Sequence, residues 1–196
     1  MSTQHREERI NQVVSQRQKG IIVLENIQDP HNAAAILRTC DSFGFQNVCL
    51  IFETASFFNP RRIGKSSSSS ANKWLDYETF QTSEECFLSL KNRNYTLYGT
   101  LLSQQSKSIY ETDFTISSSI ALIVGNESNG LSEQAKKYAD HHIMIPMMGM
   151  VESLNVSVAT GICLYEITRQ RKNKNNNDYG LSQQDKIRLQ ENFEIR

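Results

Sequence analysis

The chain has 196 residues, 38% of them hydrophobic, with Lys+Arg and Asp+Glu balanced at 21 each. That length supplies one ordinary domain with a sizeable core, and zero formal net charge excludes a protein that holds nucleic acid by bulk charge; such a partner needs local basic patches. Cys40, Cys49, Cys86 and Cys163 fall in no CxxC or Cys/His ligand spacing, which argues against zinc, and Cys40, Cys49 and Cys163 read as buried reduced thiols suited to a cytosol.

The N-terminus, MSTQHREERI, has mixed charge and no apolar leader core, and no run reaches membrane-spanning length, so a soluble intracellular protein is expected. Ile10, Val13 and Val14 give residues 5–18 a helical spacing. IIVLEN (21–26) is a buried strand, followed by the turn QDPHN and a helix over 33–43 that Gly44 ends, with Asn32 as its N-cap. NVCLIF (47–52) is a second strand. Residues 55–72, with three cations and five consecutive serines, form a polar loop. Ser83 caps a helix over 83–91. TLYGTLL (96–102) and IALIVG (120–125) are strands, the latter buried on both faces. A helix over 131–139, a strand HIMIP (142–146) and the longest helix, over 155–171, follow. KNKNNND (172–178) is a linker, and Ser182 caps a last small helix within 181–193. Strands alternating with helices predict an α/β fold with a mostly parallel sheet covered by helices on both faces.

Three strand–turn–helix segments concentrate the chemistry. In residues 26–45, NIQDPHNAAAILRTCDSFGF, Arg38 stands among small apolar residues and must reach an edge or an anion; a snorkelling surface arginine fits the pattern as well. In residues 120–134, IALIVGNESNGLSEQ, a buried strand runs into Gly125, Asn126, Glu127 and Asn129-Gly130. Open α/β sheets bind ligands at such strand ends, and glycines let backbone approach them. A bare strand-to-helix turn explains the same residues. This turn carries no GK[ST], which excludes a P-loop here, and no GxGxxG, which removes the dinucleotide fingerprint. In residues 145–171, IPMMGMVESLNVSVATGICLYEITRQR, Ser153 and Asn155 precede a helix whose N-terminus offers N–H groups. Leu154, Val158, Ile162 and Tyr165 share one face of it, and a buried core helix with a cationic tail is the simplest account.

In this order the three segments resemble the motifs of the SpoU family of RNA ribose 2′-O-methyltransferases, within the SPOUT superfamily. The first motif matches at Asn32, Arg38 and Gly44, and the second at Gly125, Asn126, Glu127, Gly130 and Leu131. The third matches at Ile145, Pro146, Ser153, Leu154, Asn155, Val156, Ser157 and Ala159. Residues 147–153 (MMGMVES) and DPHNAAAILRTCDSFG, with a short N-terminal segment, look like the branch that modifies guanosine-18 of the tRNA D-loop. About 25 residues follow Arg171, fewer than the helical extensions that branch often carries.

The resemblance implies an N-terminal helical segment (1–19), a methyltransferase domain (20–171) whose C-terminal part forms a trefoil knot, and a linker with a short helix (172–196). It implies S-adenosylmethionine as cofactor, no metal, a cytoplasmic homodimer, and tRNA or another structured RNA as partner. The cofactor pocket would use Thr100, Gly125, Glu127, Ile145, Met147 and Leu154. Arg38 would engage the ribose hydroxyl or its neighbouring phosphate, Asn32 would orient it, and Glu127, Ser153 and Asn155 would complete the catalytic site. Arg169 and Arg171 would contact RNA, as would Arg61, Arg62 and Lys65 beside Ser66–Ser70, a stretch that a solvated loop explains equally. Two other readings stay open: 2′-O-methylation of rRNA or another tRNA ribose, and a catalytically silent RNA-binding module.

Overall fold

A computed structural model describes residues 3–63, 71–174 and 179–196. Seven strands form one sheet in the order β3-β2-β1-β6-β4-β7-β5, and every named pairing is parallel. In chain order these are β1 (Gln18–Glu25), β2 (Phe45–Ile51), β3 (Asp76–Phe80), β4 (Thr96–Thr100), β5 (Lys107–Ser108), β6 (Ile120–Val124) and β7 (His141–Met144). The helices are α1 (Thr3–Ser15), α2 (Pro30–Ser42), α3 (Ser83–Asn92), α4 (Glu133–Tyr138), α5 (Val156–Asn173) and α6 (Gln183–Ile195).

The period-two alternation of a strand divides the core into two layers. Ile22, Leu24, Val48, Leu50, Leu122 and Val124 point to one face, where Ile36, Leu37 and Cys40 of α2 and Cys163, Leu164 and Ile167 of α5 cover them. Ile21, Val23, Cys49, Ile51, Ala121 and Ile123 point to the other, against Cys86, Phe87 and Leu90 of α3 and Ala135 of α4. Strands buried on both faces read as continuous apolar runs, which is why β1, β2 and β6 are plain in the sequence. A third, smaller cluster joins the chain ends: Ile10 and Val14 of α1 pack with Leu189 and Phe193 of α6, beside Trp74.

Several local expectations are corrected. Helix α2 starts earlier than its apolar run suggests. Asp29, not Asn32, is its N-cap, accepting from the His31 N–H at 2.8 Å, and Pro30 occupies the first turn, where its missing N–H costs nothing. Gly44 does follow the helix in the left-handed region, φ 79°. Thr82 rather than Ser83 caps α3, accepting from the Glu85 N–H at 3.2 Å. Ser83 is fully buried and its hydroxyl is committed to Glu25 instead. Strands β3 and β5 carry no apolar run because they lie at the two sheet edges. The face of α5 bearing Val158, Ile162 and Tyr165 is not core: these are 50%, 37% and 57% exposed, and the buried face is Thr160, Cys163, Leu164 and Ile167. All four cysteines are free and buried. No described helix is long and apolar enough to cross a membrane.

Candidate active site

Four segments leave the carboxyl ends of adjacent strands and meet over one edge of the sheet: 26–32 after β1, 101–102 after β4, 125–132 after β6 and 145–155 after β7. They enclose a cavity of about 520 Å³, a size ordinary for a small-molecule site. Its walls include Thr100, Leu102, Gly125, Leu131, Ile145, Met147 and Leu154, and its polar groups include Asn126, Glu127, Glu152, Ser153 and Asn155.

The loop after β6 closes on itself. Asn126 and Gly130 exchange two backbone hydrogen bonds of 2.9 Å, and the Asn126 side-chain oxygen accepts from the N–H groups of Ser128 and Asn129. Closure requires glycine at 125, since a Cβ there would meet the Gly130 carbonyl oxygen at 2.3 Å. Glu127 is thereby presented to the segment after β1. Its carboxylate accepts from the Gln28 N–H at 3.0 Å, the Asp29 N–H at 3.1 Å and the Asn32 amide at 3.0 Å. Burial alone would raise this carboxyl, but those donors to its ionised form outweigh burial and hold it below the usual carboxylate range.

The chain of contacts continues. The Asn32 side-chain oxygen accepts from the Asn155 amide at 3.0 Å, and the Asn155 oxygen accepts from the Ser157 N–H at 2.8 Å as the N-cap of α5. Glu127, Asn32 and Asn155, from three segments far apart in sequence, thus form one relay. An anion at one end and a capped helix at the other fix each amide's orientation. Thr100, at the end of β4, donates to the Ile123 carbonyl at 3.0 Å, pinning β4 to β6 at the cavity wall.

Nine of the ten residues that the sequence assigns to catalysis or cofactor line this one cavity: Asn32, Thr100, Gly125, Glu127, Ile145, Met147, Ser153, Leu154 and Asn155. Arg38 does not. It lies on the exposed side of α2, six residues past Asn32 and outside the lining. The assignment of Arg171 to RNA is corrected. Arg171 is 4% exposed, and its guanidinium donates to Gln18 Oε1 (2.8 Å), the Lys19 carbonyl (2.6 Å) and the Ser118 carbonyl (3.2 Å), with Tyr179 stacked 4.9 Å away. Burial draws its pKa down to about 10, against the opposing pull of Tyr179 and Tyr98, so it stays cationic at neutral pH yet faces inward. Arg169 is half-exposed in a two-point ion pair with Glu166. Arg61 lies over the Tyr77 ring and Arg62 is exposed; Lys65 and Ser66–Ser70 lie outside the described residues. Among the polar lining residues, Asn126, Ser128, Asn129 and Glu152 were missed as site members. Asn126 stood inside a matched motif and its spacing to Gly130 was the available signal, whereas nothing in the sequence sets Glu152 apart.

A family model described as "SpoU rRNA Methylase family" matches residues 19–165. The chain is 39% identical over 167 residues to the tRNA (guanosine(18)-2′-O)-methyltransferase of Aquifex aeolicus, covering 85% of this chain and 77% of that one. The crystal structure of the A. aeolicus TrmH/SpoU tRNA modifying enzyme superposes with a TM-score of 0.86 at 34% identity, over 100% of this chain and 98% of the other. The SpoU methyltransferase AviRb of Streptomyces viridochromogenes, solved in complex with AdoMet, gives a TM-score of 0.69 at 26% identity, over 80% and 59% of the two chains.

Proposed function

The chain belongs to the SpoU methylase family, and from that premise we propose that it transfers the methyl group of S-adenosylmethionine to a ribose 2′-hydroxyl in RNA, that of guanosine-18 in the tRNA D-loop. The observation that carries this reading is the cavity itself: eight residues named from three separate motif segments line it together with Thr100, and three of them form the Glu127–Asn32–Asn155 relay.

The residues present fit the cofactor. The cavity has the volume of a small-molecule site, and Ile145, Met147 and Leu154 supply an apolar wall suited to a purine and a thioether. Glu127, held ionised, complements a positive sulfonium. When bound, S-adenosylmethionine supplies an activated methyl carbon. The protein must then raise the nucleophilicity of a hydroxyl that is almost wholly protonated at neutral pH. Arg38 does this electrostatically: a guanidinium does not give up its proton in this range, so it stabilises charge developing on the 2′-oxygen or holds the adjoining phosphate. Asn32 and Asn155 orient the reacting segment through the relay, and Ser153 lies beside them at the cavity. The 145–155 segment, which adopts neither helix nor strand, is the wall that the family's trefoil knot supplies.

Two copies of the chain make the working unit. The exposed stripe Val158, Ile162 and Tyr165 on α5, with Met148, Met150 and Val151 nearby in sequence and also exposed, is the surface a second copy covers. Arg38, outside its own chain's cavity, then serves the partner's site. RNA phosphates meet Arg61, Arg62 and Arg169, and the cytoplasm holds the substrate.

The test is methyl transfer from labelled S-adenosylmethionine to unmodified tRNA, with the product digested and the modified ribose mapped. Label at the 2′-oxygen of guanosine-18 is expected. Label on rRNA alone removes the tRNA assignment and supports the second reading, which the rRNA description of the matched family favours. Cofactor binding with no transfer to any RNA replaces the enzyme with a silent binding module.

A further inference from the structure

We propose that Glu25 and Asn26, at the end of β1, are positioning residues that clamp both ends of the 125–132 loop and so set its grip on the cofactor. The inference rests on the cofactor reading above. Neither residue lines the cavity; both act through the loop, whose residues 125–131 all do.

Glu25 is 1% exposed, a carboxylate buried at the root of the site. One oxygen accepts from the Ser83 hydroxyl at 2.7 Å and the Ser132 hydroxyl at 2.5 Å, and the other accepts from the Ser132 N–H at 2.9 Å. Ser132 ends the loop and caps α4, accepting from the Ala135 N–H at 3.0 Å. Asn26 holds the other end. Its carbonyl accepts from the Asn126 amide at 2.8 Å, in a bond that is itself buried. Its side-chain oxygen accepts from the N–H groups of Glu53 at 2.9 Å and Thr54 at 2.8 Å, tying the segment after β2 to the same point. To face both segments at once Asn26 takes the left-handed conformation, φ 53°, which asparagine tolerates and most residues do not.

The energetics separate positioning from simple cohesion. A buried carboxylate carries a desolvation cost that its hydrogen bonds repay only with good geometry, and well-packed apolar residues commonly do as well for stability. What apolar packing does not provide is direction. Three bonds converging on Glu25 and one on the Asn26 carbonyl fix the loop ends to within hydrogen-bond tolerance, while the chain between them is closed by the Asn126–Gly130 bonds and tied to the segment after β1 through Glu127.

The experiment compares wild type, Glu25→Ala, Glu25→Gln and Ser132→Ala. It measures S-adenosylhomocysteine binding by calorimetry and initial rates against S-adenosylmethionine on unmodified tRNA, after thermal melts confirm folding. Glu25→Ala is expected to raise the cofactor KM and the S-adenosylhomocysteine Kd by about tenfold, with kcat at saturation changed less than about threefold. Glu25→Gln should recover most of the affinity, because its amide can pair with both hydroxyls and its carbonyl with the Ser132 N–H. A folded Glu25→Ala protein with wild-type cofactor affinity overturns the proposal. If Glu25→Ala does not fold, Ser132→Ala decides: a raised cofactor KM supports the clamp and an unchanged one overturns it. A wild-type protein that binds neither cofactor nor S-adenosylhomocysteine removes the cofactor reading, and this role with it.

Discussion

Glu127 accepts three hydrogen bonds while still reaching solvent, and its lowered pKa couples the site to pH in a defined direction. Burial opposes the ionised form, and the Gln28 N–H and the Asn32 amide more than offset it. A carboxyl depressed on folding contributes stability that is present above the ordinary carboxylate range and is lost as pH falls through its folded value. The stability difference between wild type and Glu127→Gln should therefore be constant from neutrality down to about pH 5 and shrink below it. Denaturant melts of both proteins across that range check this. A difference that persists unchanged to the acid end would mean that the relay does not depend on the charge. Glu127 itself was legible through the family motif it matches, since its position after a buried strand and a glycine fitted a bare turn as well. Its partners were not, since Gln28 and Asp29 contribute only backbone N–H groups.

Helix α5 shows what an element's pattern tells and what it hides. Its length follows from the sequence, and so did a single apolar face through Val158, Ile162 and Tyr165, whereas the capping role of Asn155 is what the structure adds. Yet that face is open and the other is buried, because Thr160, Cys163, Leu164 and Ile167 fit against the sheet as well as the larger side chains would have. Hydrophobic spacing marks a face that needs covering without saying which partner covers it. The same helix separates Arg169 from Arg171, two positions apart and so on nearly opposite sides. Their chemistry looked identical in sequence, since the acceptors that capture Arg171 lie in β1 and before β6. Arg171→Ala leaves those acceptors buried and unpaired and should cost about 3 kcal/mol of stability. It should leave the salt dependence of RNA binding unchanged in protein that remains folded. Arg169→Ala should leave stability nearly unchanged and flatten the log–log salt slope by about one. Denaturant melts and filter binding at several salt concentrations read both. Equal salt slopes for wild type and Arg169→Ala would take Arg169 off the RNA.

At the scale of the whole molecule, a mostly parallel sheet covered on both faces was legible because strands alternate with helices and strands buried on both faces carry apolar runs, whereas the strand order was not. The short edge strands β3 and β5 were not, and neither was the packing of α1 against α6 through Val14 and Phe193, which joins segments more than 170 residues apart. No local pattern encodes such long-range pairing. The cavity likewise emerged only when the strand ends were brought together, and it emerged without Arg38. A site that, as proposed, holds cofactor in one chain and takes its arginine from another would make a specific demand on the assembly. Arg38→Ala chains and Glu127→Ala chains should each be nearly inactive as homodimers, the first while still binding cofactor. Unfolded together, or co-expressed, in equal amounts, they should form heterodimers in half of the population. In each of these one site has both residues intact, so activity should return to about a quarter of wild type. Were Arg38 to serve its own chain's cavity, every site in every mixture would lack one residue or the other, and mixing would restore nothing. Placing Asp at Ile162 in both chains should abolish the recovery as well, because a charge in the α5 stripe prevents the pairing on which it depends.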